Sequence, residues 1–149
     1  MSFKNKKVVV AGGSRGIGRS IALGFAAAGA SVSICARGQA ALDATAREIK
    51  AFGVSAHAAS CDLADKAAID GYIAAAASAL GGIDILINNA SGFGGGDDED
   101  GWKRGFDIDI MAAVRASNAA LPHIERSGGG AIAFTRIFFG AYINPCEAV

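Results

Sequence analysis

Three glycines, Gly12, Gly16 and Gly18, stand between the apolar run Val8-Val9-Val10-Ala11 and a periodic segment that begins near Gly16. A β-branched run that meets a glycine cluster and then a helical pattern predicts a strand, a tight turn and a helix N-terminus. That layout binds anions. Glycines let the backbone turn sharply and approach a phosphate, and the free amides and dipole of the helix start favour negative charge. Ser14, Arg15 and Ile17 fill the loop between the glycines. The spacing is G-x-x-x-G-x-G, not the G-x-G-x-x-G of the older dinucleotide fingerprint. Gly13 to Gly18 followed by Arg19-Ser20 is one residue away from a triphosphate loop, with arginine where that loop needs lysine. A glycine turn with a purely structural role is the third reading, since short glycine motifs recur by chance.

Elements that alternate along the chain must position this loop. Strands are predicted at Lys7 to Ala11, Val32 to Ala36, Val54 to Ala59, Ile83 to Asn88 and Ala131 to Thr135. Between them run helical patterns. The first, from about Gly16 to Ala28, places Ile17, Ile21, Phe25 and Ala28 on one face. The second carries Leu42, Ala46 and Ile49, and the third Ile69, Tyr72, Ile73, Ala76 and Leu80. The fourth carries Phe106, Ile110, Ala113, Val114, Ser117 and Leu121. Alternation of this kind predicts an α/β fold, a Rossmann-type doubly wound parallel sheet with strand order 3-2-1-4-5, ending after strand five. Ligands of such sheets lie at the carboxyl ends of the strands, beside the switch point. The glycine loop ends strand one and Asn88-Asn89-Ala90 ends strand four, so both face one crevice. A chance glycine turn does not account for that coincidence.

Composition excludes several classes. The 149 residues suit one domain, and 52% are hydrophobic, enough for a core. Fourteen basic residues balance 14 acidic ones, with no basic stripe for nucleic acid. The three cysteines, Cys35, Cys61 and Cys146, form no C-x-x-C pair and suit core packing in a reducing compartment. Lys4, Lys6 and Lys7 precede an apolar run too short for a signal peptide, and no segment reaches the length of a membrane helix. A cytoplasmic protein with neither nucleic-acid nor membrane partners is expected, and with no metal site.

From about residue 5 to residue 135 the chain resembles the short-chain dehydrogenase/reductase family. Val10 to Gly18 is similar to its cofactor loop, with Ala11 where threonine is usual. Asn88-Asn89-Ala90-Ser91 is similar to its Asn-Asn-Ala-Gly motif, with Ser91 for glycine. Cys61-Asp62-Leu63 resembles the segment whose aspartate receives the adenine amino group. The resemblance implies a dinucleotide-binding domain over 1–135, an oxidoreductase acting on a small carbonyl or alcohol, and a homo-oligomer. Cofactor-binding residues are then Gly12, Ser14, Arg15, Gly16, Ile17, Gly18, Arg37, Asp62, Leu63, Asn89 and Ala90. NAD enzymes of this shape hold the ribose 2′-hydroxyl with an acid at the end of strand two. Here Ala36 and then Arg37 stand there, and Arg15 offers a second cation, which favours NADP over NAD.

The family's catalytic half departs further. Asp109 stands where a relay asparagine is expected. Ile137 holds the position of the serine, with Thr135 as a stand-in hydroxyl or a structural strand end. Tyr142 is followed four residues on by Cys146 instead of lysine. The tail 136–149 breaks with the alanine-rich body and reads as an atypical or truncated end, as from a shifted reading frame. A non-catalytic NADP-binding module or fragment is therefore the alternative to an active enzyme. Elsewhere, Asp97 to Asp100 reads as an acidic helix N-terminus, His57 and His123 as structural, and Trp102 as packing for the fourth helix.

Overall fold

The structure is a computed structural model that describes residues 2–92 and 98–135. Five parallel strands form one sheet: β1 (Lys7–Ala11), β2 (Ser31–Ala36), β3 (Ala56–Ser60), β4 (Ile85–Asn88) and β5 (Ala131–Phe134). Their order is β3-β2-β1-β4-β5, the doubly wound order. Helices α1 (Gly16–Ala27), α2 (Gln39–Lys50), α3 (Lys66–Leu80), α4 (Glu99–Gly105) and α5 (Ala112–Arg126) connect them, with a π-helical turn at Phe106–Met111 between α4 and α5.

Alternate residues of β1 face opposite layers, as a period of two requires. Val8 and Val10 pack with Ala22, Ala26, Leu42 and Ile49 beneath α1 and α2. Val9 and Ala11 pack with Ile69, Ile73, Ala116 and Ala120 beneath α3 and α5. With both faces covered, β1 and β2 are nearly continuous apolar runs. Parallel register aligns the strand ends: Ala11 pairs with Cys35 and with Asn88, Ala36 with Ser60, and Asn88 with Phe134. The residues just beyond all five strands therefore share one edge.

Several expectations need correction. β3 begins at Ala56, not Val54, and β4 at Ile85, not Ile83. The buried seam of α1 is Gly18, Ala22 and Ala26, while Ile17 is 53% exposed. Small residues let this helix lie close against β1, so the larger Ile21 and Phe25 pack at its flank. In α2 the seam is Leu42, Thr45 and Ile49, with Thr45 in the place expected for Ala46. The fourth helix is interrupted. The π turn shifts its phase, and beyond it Ala112, Ala116, Ala120 and Ile124 are buried while Val114 and Leu121 are exposed, as is Phe106 at the turn's start. Trp102 is 72% exposed and does not serve the core.

The acidic residues at 98–100 do form a helix start: the Asp98 carboxylate accepts the Gly101 amide at 2.7 Å. Cys35 and Cys61 are buried. His57 lies 2.9 Å from the Ser33 hydroxyl, which also bonds Tyr72 at 2.8 Å. The Arg126 guanidinium lies 2.9 Å from Nδ1 of His123. Cys146 and Asp97 lie outside the described residues.

Candidate dinucleotide site

The site is built from the segments at the carboxyl ends of the strands. After β1, the Gly12 and Gly13 amides both donate to the Cys35 carbonyl, at 3.0 and 3.1 Å, which folds the loop over the end of β2. After β4, the Asn89 amide donates to the Ala11 carbonyl at 3.1 Å, and its side-chain Nδ2 donates to the Gly12 carbonyl at 3.0 Å. After β5, the Thr135 hydroxyl donates to Asn89 Oδ1 at 2.8 Å. The Thr135 hydroxyl thus fixes which way the Asn89 amide faces. Three strand ends are joined by two side chains.

Within the loop the glycines have different reasons. A Cβ on Gly18 would land on the Gly12 carbonyl and on Asn89 Nδ2, so only glycine lets α1 start this close to β1 and β4. Gly16 has φ +55, and a Cβ there would meet nothing within 4 Å. Its open side is the space in front of the helix start. Arg15 caps α1 without a side-chain hydrogen bond, and no acid lies in the first turn. The first amides of α1 have no partner within the helix and meet that space with the positive end of the dipole. Such a cradle fits a pyrophosphate.

Arg15 and Arg37 are both exposed, Arg15 just ahead of α1 and Arg37 just beyond β2. Asp62 follows β3 and is exposed, with Oδ1 accepting the Ala64 amide at 3.0 Å. Leu63 is buried beside it and lines a small cleft with Ala11, Ala90, Asp109, Phe134 and Thr135. Asp109 sits in the π turn, and its Oδ1 accepts the Gly92 amide at 2.7 Å. Its carboxylate therefore holds the chain after β4 against this helix. Asn88 is buried, and its Nδ2 donates to the Ser117 hydroxyl at 3.3 Å.

Titrating groups lie behind the site. The hydrogen bond with Cys61, together with burial, pushes the Cys35 thiol well up, while the same bond lowers Cys61. Burial raises Tyr72 and lowers His57. Among the described residues, no group of three or more His, Cys, Asp and Glu side chains converges on a metal position. No helix among them is long and apolar enough to cross a membrane.

The structure brings together Gly12, Ser14, Arg15, Gly16, Ile17, Gly18, Arg37, Asp62, Leu63, Asn89 and Ala90 along one edge, with Asp109 across the cleft. Ile137, Tyr142 and the tail 136–149 lie outside the described residues. Sequence reading missed Thr45, whose hydroxyl donates to the Ser14 carbonyl at 3.1 Å. Its signal was a polar residue within the apolar stripe Leu42–Ile49.

A doubly wound sheet of this order, with a glycine-lined anion cradle at its edge, defines a dinucleotide-binding class. The comparisons are narrower. Residues 6–148 match the family model described as short chain dehydrogenase, and the chain belongs to that family. It is 34% identical over 136 residues to the 7alpha-hydroxysteroid dehydrogenase of Escherichia coli (strain K12), covering 89% of this chain and 53% of that protein. A short chain dehydrogenase from Burkholderia cenocepacia J2315, solved in complex with NADP, superposes with a TM-score of 0.79 at 36% identity, covering 83% of this chain and 53% of that one. A 7 alpha-hydroxysteroid dehydrogenase complexed with NADH and 7-oxo glycochenodeoxycholic acid gives 0.84 at 31% identity, covering 89% and 53%. The chain thus spans about half the length of these relatives.

Proposed function

We propose that this chain binds a nicotinamide dinucleotide across the glycine loop, with NADP preferred over NAD. It forms the cofactor-binding part (1–135) of an oxidoreductase that acts on a small carbonyl or alcohol. The observation that carries the reading is the start of α1, with no side-chain cap, no acid in its first turn and open space at Gly16, on the same sheet edge as Arg37, Asp62 and Asn89. Bound there, the nicotinamide supplies hydride transfer. The chain's own residues bind and orient. The α1 amides hold the pyrophosphate, and Asp62 accepts from the adenine amino group. Asn89 and Ala90 border the nicotinamide end. Arg37 and Arg15 pair with a 2′-phosphate, and the absence of an acid at Ala36 leaves nothing to repel it. One solved relative is complexed with NADP and another with NADH, so this preference rests on Arg15, Arg37 and the lack of an acid at Ala36. We place the protein in the cytoplasm, as a homo-oligomer.

A second reading, a non-catalytic NADP-binding module, is favoured by the residue four positions after Tyr142, which is Cys146 and not lysine. NADPH oxidation with a panel of ketones and aldehydes separates the two, using purified 149-residue protein of confirmed mass. Turnover at about 1–10³ per second supports the enzyme. Saturable NADPH binding without turnover supports the module.

A further inference from the structure

We infer that Thr45 of α2 is a positioning residue for the dinucleotide loop, acting through the Ser14–Arg15 peptide. The inference rests on the reading of that loop as a dinucleotide site. Thr45 is 1% exposed and lies between Leu42 and Ile49 on the buried stripe of α2. A hydroxyl buried among apolar groups is costly without a partner. A helical threonine commonly bonds a carbonyl of its own preceding turn. Thr45 instead donates to the Ser14 carbonyl, 31 residues away, at 3.1 Å.

The carbonyl and amide of a trans peptide point in opposite directions. Pinning the Ser14 carbonyl toward α2 therefore turns the Arg15 amide away from α2. That peptide leads directly into the first turn of α1. Arg15 is extended, with φ −156, and Gly16 comes next with φ +55, so the chain reverses sharply there. Asn89 holds the loop at Gly12 and Thr45 holds it at Ser14. Helix α2 is itself braced against α1 by the Arg19–Glu48 ion pair. Thr45 thereby sets the aim of the amides that meet the pyrophosphate. At the adenosine end Arg37 and Asp62 stand on other strand ends, and the exposed Arg15 side chain reaches the 2′-phosphate on its own flexible stem, so of the Arg15 groups only the backbone amide depends on Thr45.

The test compares NADPH with adenosine 2′-phosphate, which lacks the pyrophosphate, by titration calorimetry on the full chain. Thr45→Val should weaken NADPH binding about five- to tenfold, the scale of one lost hydrogen bond. Adenosine 2′-phosphate should bind within about twofold of the unaltered protein, and Thr45→Ser should restore NADPH to within about twofold. Unchanged NADPH binding in Thr45→Val would overturn the inference. Equal loss of both ligands would too, since it marks general loosening, as would failure of serine to rescue. If the valine variant does not fold, Thr45→Ser against Thr45→Ala makes the same comparison with the methyl gone from both. An unaltered protein that binds neither NADPH nor NADH overturns the dinucleotide reading beneath it.

Discussion

On one side of β1 lie β2 and β3, on the other β4 and β5, and the two flanks end differently. The β1–β2 flank closes on itself. The Gly12 and Gly13 amides are taken up by Cys35, Thr45 holds Ser14, and Val32, Ile34 and Cys35 are fully buried. The β5 flank is open among the described residues. Phe134 is 54% exposed, and Phe106 and Trp102 also face outward. Between the flanks, Asn89 carries the tie from Thr135 to Gly12. The loop is thus fixed by the β1–β2 flank and one bridging asparagine, while the cleft beside Asp109 is lined by buried Leu63 and Ala112 and by the exposed Phe134. The two flanks therefore differ among the described residues in how far the strand ends are tied down, the β1–β2 side by backbone and Thr45 contacts and the β4–β5 side by Asn89 and Thr135.

The contrast between flanks breaks most sharply at Gly18. Gly18→Val drives a side chain into the Gly12 carbonyl and Asn89 Nδ2. Overpacking of this kind costs about 1–3 kcal/mol or more, so NADPH affinity should fall roughly a hundredfold in calorimetry, with a lower melting temperature. Next is Arg37→Asp. Replacing a cation by an acid at the 2′ position should weaken NADPH about 10- to 100-fold, the scale of one or two charge-assisted hydrogen bonds. NADH should bind as well or better in the same titration. On the open flank, Phe134→Lys should leave NADPH binding within about twofold while shifting sedimentation profiles toward smaller species, because one exposed apolar group has been removed from the patch. A large loss of binding there would contradict the division between flanks.

The smallest effect is on pH. Burial lowers His57 below its ordinary 6.5 in the folded protein. Above that pH the imidazole is neutral in both states. As pH falls through 6.5 the unfolded chain takes up its proton first, so stability is lost on acidification. His57→Gln should reduce the fall of the melting temperature between about pH 7 and pH 5, leaving the part that His123, also lowered by burial and by Arg126, contributes with the same sign. An identical slope in the variant would show that His57 does not set it.

Parts of this were legible in the sequence for a physical reason. β1 and β2 are buried on both faces, so Val8-Val9-Val10 and Val32 to Ala36 read as continuous apolar runs, and their bounds were correct to within a residue. Alternation of elements gave the strand order, and with it the common edge of Gly12, Asp62 and Asn89. β3, Ala-His-Ala-Ala-Ser, carries little β signal, and its start was misplaced. The π turn was invisible because the inserted residue changes the helical phase without changing composition. On α1 bulk does not mark burial, because close packing against the sheet selects Gly18, Ala22 and Ala26 and leaves Ile17 outside. Thr45 and the Thr135–Asn89 tie were hidden because both depend on partners 31 and 46 residues away.

On the function proposed above, the glycine loop holds a dinucleotide and Arg15 and Arg37 select the phosphorylated one. The most direct test is a calorimetric titration of the unaltered chain with NADPH and NADH, with Gly18→Val as the control. Saturable binding of both, with NADPH about tenfold tighter and both bound roughly a hundredfold more weakly by the variant, is the predicted result. No saturable binding of either, or tighter binding of NADH, would contradict it.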